Sequence, residues 1–227
     1  MNLRKISVVA AVAIFAVALL PAQQKSEVTV EQQYLSTIED VIIKEMTLSD
    51  VRDNKEVALQ YIEDALKAGR ISPEIQEALN SLAGEGIANP NRENGRLINN
   101  YPDIRAKAAD LLAQIPTEES KATLVKIVLG DNEPMVITSA IRSLGVIGLN
   151  SEDDVVSTIA WTEKRFATLN PTSSMAYEVL NAYEKLLPYT KDRNAMIQSV
   201  SRIAANYQYV TPVRQRALTL LKDISAK

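Results

Sequence analysis

The chain has 227 residues, enough for one or two domains; 46% are hydrophobic but only 5% aromatic, so any core is mainly aliphatic. A formal net charge of −3 argues against a nucleic-acid binder, which needs a basic stripe to release counterions. Histidine and cysteine are absent, which removes the commonest general base, the usual zinc ligands, thiol nucleophiles and any disulfide.

In chain order, residues 1–22 read as a targeting segment. Arg4 and Lys5 precede the run 6–20, which is apolar except for Ser7, and Pro21-Ala22 follows. The run is shorter than the roughly 20 residues of a membrane span. It resembles a secretory signal peptide cut after Ala22, with an uncleaved N-terminal anchor as the alternative. Residues 23–30 are polar and expected to be flexible.

From residue 31 the spacing of apolar side chains predicts helices. The first, 31–46, carries Tyr34, Ile38, Val41, Ile42 and Met46. The second, 54–68, carries Val57, Tyr61, Ala65 and Leu66 and is closed by Gly69. Ser72-Pro73 starts a third that ends at Gly84, because Ser caps orphan N–H groups and Pro suits the first helical position. Residues 86–100 form one long irregular stretch. Helices are then expected at 102–115, 117–129, 133–147, 152–169, 173–187, 193–206 and 212–224. No stretch combines β-branched alternation with hairpin-turn residues. The expected class is all-α, about ten helices in five pairs.

The second helix of successive pairs repeats. Ile104, Arg105, Ala108 and Leu112 align with Val136, Ile137, Ala140 and Leu144; with Ala176, Tyr177, Leu180 and Glu184; and with Val213, Arg214, Ala217 and Leu221. The spacings are 32, 40 and 37 residues, a period typical of stacked helical hairpins. Pro134 breaks the preceding helix and starts the next without losing a hydrogen bond, while Gly148 can close it.

Asp131, Pro134, Val136, Ala140, Leu144 and Gly145 give this chain a pattern that resembles the HEAT-repeat family of armadillo-like α-solenoids, with Ile137 in place of the family's Arg. Ile104-Arg105-Ala108 and Pro212-Val213-Arg214-Ala217 match in part. The third segment departs, with Pro171 at the Asp position and Tyr177 at the Arg position. The resemblance covers about residues 100–227. It implies an α-solenoid of about five stacked antiparallel helix pairs over 31–227. It also implies a ladder rung between Asp131 and Arg105. Arg214 has no such partner, since Gln208 stands where its own repeat would carry the ladder Asp.

Residues with chemical potential are few. Ser151-Glu152-Asp153-Asp154 lacks the spacing of a calcium loop and reads as a helix start, Ser151 capping and the acids facing the positive helix end. Trp161 and Phe166 are expected to be packing residues of an outer helix. Five of the eight tyrosines lie in the last 51 residues, which suits either a binding surface or core filling. In a stacked array, Arg105, Ile137, Tyr177 and Arg214 would form a row. Two arginines around an Ile and a Tyr suit an extended acidic or mixed peptide. The expected role is an exported scaffold, periplasmic or extracellular, that binds another envelope protein. No catalysis, cofactor, metal or nucleic acid is expected, nor any membrane association after signal cleavage. The alternative is a structural or accessory subunit of a larger envelope assembly.

Overall fold

A computed structural model describes residues 29–226. The signal peptide read at 1–22, and all but the end of the flexible segment read at 23–30, lie outside the described residues. The chain divides into two units, residues 1–37 and 38–227. In the first, the Gln32 N–H donates to Thr29 Oγ1 at 3.2 Å and the Thr29 N–H donates to Gln32 Oε1 at 3.1 Å. This capping box opens α1 (Val30–Leu48).

The second unit continues α1 and adds nine helices. They are α2 (Arg52–Lys67), α3 (Pro73–Ala83), α4 (Pro102–Leu112), α5 (Glu118–Gly130) and α6 (Pro134–Ile147), then α7 (Asp154–Leu169), α8 (Ser173–Leu186), α9 (Asn194–Ala205) and α10 (Thr211–Ala226). Local chemistry sets most boundaries. Prolines open α3, α4 and α6. The side chains of Ser72, Thr117 and Thr172 accept the N–H groups of Ile75, Ser120 and Met175. Gly148 adopts the left-handed conformation at φ 72° and donates to the Leu144 carbonyl, closing α6.

The irregular stretch 86–100 contains a hairpin that the sequence reading did not expect. β1 (Arg92–Glu93) pairs antiparallel with β2 (Arg96–Leu97). Its two-residue turn is Asn94-Gly95, both at positive φ, the arrangement that matches strand twist. Two strands of two residues leave the all-α class intact.

Two series of helices pack in chain order. Helices α3, α5, α7 and α9 each touch the next of that series; α4, α6, α8 and α10 do the same. Each member also packs on its chain neighbour, as in α3 on α4 and α9 on α10. A single apolar core runs from Ile43 to Ile224. Ala108, Ala140 and Ala217 are fully buried where helices meet, and Val136 and Leu144 fill the space between neighbouring helices. One close approach involves Gly145: a Cβ there would lie 2.7 Å from the Ala182 Cα, so α6 and α8 meet nearly backbone to backbone.

Candidate functional site

The four residues expected to form a row separate into two buried and two accessible. Ile137 has no exposed surface and Arg105 only 2%, so neither can meet a partner. Tyr177 is 43% exposed. Arg214 is half-buried, its guanidinium 4.9 Å from the Tyr207 ring centroid. The cause is register. On α8 the buried stripe is Met175, Ala176, Val179, Leu180 and Tyr183, while Glu184 is exposed. Tyr183, rather than Glu184, is buried as Leu112 and Leu144 are. Tyr177 therefore turns outward where Ile137 turns inward, and the row is corrected to Tyr177 and Arg214.

Arg105 is held in a closed polar network. Its Nε donates to Asp131 Oδ2 at 2.8 Å and its Nη2 to Oδ1 at 3.3 Å. Its Nη1 donates to the Glu85 carbonyl and to Asn100 Oδ1. Asp131 Oδ1 also accepts the N–H groups of Asn132 and Glu133, at 2.7 and 2.9 Å. Both side chains are buried, and the pair ties the start of α4 to the α5–α6 turn. Behind it, Lys55 donates to Glu85 at 3.0 Å, and Asn99 donates to Glu85 and to the Asn89 carbonyl. These contacts fix both ends of the segment carrying the hairpin.

The exposed face of α4, α6, α8 and α10 carries different residues from those expected. Arg142 on α6 pairs with Asp110 of α4 at 2.9 Å and with Glu178 of α8 at 3.2 Å. Arg216 on α10 pairs with Glu184 of α8 at 2.7 Å and lies 4.6 Å over the Tyr177 ring. Lys107 on α4 pairs with Glu63 of α2. Met135, 53% exposed, lies in a groove with Lys107, Asp110, Arg142, Thr172 and Ser174. No family model, curated protein or solved structure matches this chain. The seven-residue step from Met135 to Arg142 marks one helix face and was available in the sequence; the cross-helix pairing was not.

Two other groups were read differently from sequence, and a third, around Glu163, was not singled out. Ser151 makes no cap hydrogen bond. Instead Asp153 accepts the backbone N–H groups of Asp192 at 2.7 Å and Lys191 at 2.9 Å, which hold its carboxyl below the usual range. It clamps the α8–α9 connection rather than merely facing a helix end. Phe166 is buried as expected, but Trp161 is exposed beside Arg165. Finally, Glu163 on α7 is buried and accepts from Ser199 and Arg202 of α9. Its other oxygen and the Tyr183 hydroxyl are buried without partners. Burial pushes the Glu163 carboxyl up and Tyr209 up to about 12. Among the described residues, no helix is long and apolar enough to cross a membrane, and no acidic cluster is arranged to hold a metal.

Proposed function

We propose that the chain is an exported HEAT-like α-solenoid that binds another protein through the exposed face of α4, α6, α8 and α10. The observation that carries this reading is the uncovered Met135 and Tyr177 on neighbouring helices of that face, set among charges already paired with one another. A partner gains little by competing for Arg142 or Arg216, so its affinity rests on the apolar and aromatic contacts. The solenoid is supported by the chain-order packing of two helix series and by the buried Arg105–Asp131 pair between successive helix pairs. Export is supported by the basic and apolar start and Pro21-Ala22. Binding is favoured over catalysis by a composition without histidine or cysteine.

Capture from the native envelope fraction tests the reading, comparing the wild type with the double variant Met135→Glu and Tyr177→Ala. The variant is expected to lose the captured protein while its melt stays unchanged. Equal capture by both would remove this face from consideration.

A further inference from the structure

Eleven arginines fall among the described residues, and six of them pair with carboxylates: Arg52, Arg70, Arg105, Arg142, Arg202 and Arg216. Arg193 reaches the Ile224 carbonyl instead. The other four, Arg92, Arg96, Arg165 and Arg214, make no ion pair within 4 Å with any described residue, and all four lie along the edge where the two helices of each pair connect. The contacts between consecutive connections establish that edge. Ile87, at the base of the hairpin, lies against Gly130, and Arg105 of α4 holds Asp131 in the next connection. Arg165 donates to the Leu129 and Asp131 carbonyls and to Asn132 Oδ1. The Val210 N–H of the last connection donates to Ser173 Oγ beside the third, at 3.1 Å.

In a chain with more acids than bases, four unneutralised guanidinium groups on one edge are an unbalanced charge. Glu93 faces Arg96 across the hairpin and Glu133 lies in the second connection, yet neither carboxylate comes within 4 Å of these guanidinium groups. Apolar surface accompanies the charge. Arg165 lies against exposed Trp161, and Arg214 against Tyr207, which is 88% exposed. The hairpin is also preorganised, because buried Asn99 and Glu85 anchor its base.

We propose that this edge docks an extended acidic segment of a partner protein, with carboxylates on Arg92, Arg96, Arg165 and Arg214 and apolar side chains on Trp161 and Tyr207. Arginine suits this task because its planar fork takes a carboxylate through two hydrogen bonds. Adjacent helices sit 8–10 Å apart, so three steps span roughly 25–30 Å. An extended strand covers that distance in about eight or nine residues. A nucleic acid fits less well: its unbroken line of phosphates would meet Glu93 and Glu133 and a chain of net charge −3. Its contact residues do not include Met135 or Tyr177.

The test is fluorescence anisotropy with the full chain and a labelled peptide of about ten residues, glutamate interrupted by two leucines. Saturable binding that weakens with salt is expected, and Arg92→Glu with Arg96→Glu should weaken it about tenfold or more. Both residues are exposed on the hairpin tip, and a matching melt verifies that the variant is folded. Arg214→Gln serves as an independent second variant with a smaller expected loss. The double variant Met135→Glu and Tyr177→Ala should leave the peptide affinity unchanged, which separates this proposal from the face described above. The proposal is overturned by no saturable binding, by equal binding of the glutamine version of the peptide, by tighter binding of an oligothymidylate, or by unaltered affinity in the arginine variants.

Discussion

Arg105 and Arg214 occupy matching repeat positions but hold different jobs, and that difference is measurable. Arg105→Ala strands a buried Asp131 carboxylate together with the Glu85 carbonyl. Breaking a buried pair costs about 3–5 kcal/mol. Arg214→Ala loses a stacking contact with an exposed Tyr207, worth about 0.5–1 kcal/mol. Denaturant melts of the two single variants should give that ordering; equal costs would mean that Arg105 is not the anchor described. Glu163 brings a pH dependence to the contact of α7 with α9. Burial raises its native value above that of the unfolded chain, about 4.3, so the folded state holds this proton more tightly. The stabilisation is full below the unfolded value and is lost as pH rises through the native one. Glu163→Gln keeps an acceptor for Arg202 and removes the titration. Its melting temperature relative to the wild type should therefore rise between acid and neutral pH. A constant difference across that range would show that Glu163 titrates normally.

Among the elements, the contact of α6 with α8 leaves no room for an added methyl. Alanine at an exposed helical glycine gains about 1 kcal/mol of propensity. At Gly145 the added methyl would meet the Ala182 Cα and Cβ at 2.7 and 2.9 Å, both on a helix that cannot swing away. Overpacking of this kind costs about 1–3 kcal/mol, so Gly145→Ala should lower the melting temperature despite the better propensity. An unchanged or higher melt would mean that the two helices are farther apart. Helix boundaries were legible in the sequence because Ser72, Thr117, Pro134 and Gly148 act through local hydrogen bonds and dihedral limits. The hairpin carried a signal that was passed over, Asn94-Gly95, because its flanks lack alternating apolar residues. The roles of Asp153 and Glu85 were not legible, since their partners lie 38 and 30 residues away. The α8 register was missed for a related reason: a tyrosine that fills the core and one that faces water look alike until the neighbouring helix is in place.

For the molecule as a whole, the repeat pattern led to the right set of helices but the wrong surface. A repeat position whose side chain is arginine, isoleucine or tyrosine does not keep one exposure, because each helix rotates to bury its own largest apolar stripe. Arg105 and Ile137 went inward, and the accessible face passed to Met135, Arg142, Tyr177 and Arg216. The central claim is that a partner protein lies on this face. Site-specific photocrosslinking in the native cell tests it most directly, with benzoyl-phenylalanine substituted in turn at Met135, at Tyr177 and at Ser201, an exposed residue of α9. The account predicts one common adduct from positions 135 and 177 and none from 201. An adduct from 201 with none from 135 or 177 would contradict it.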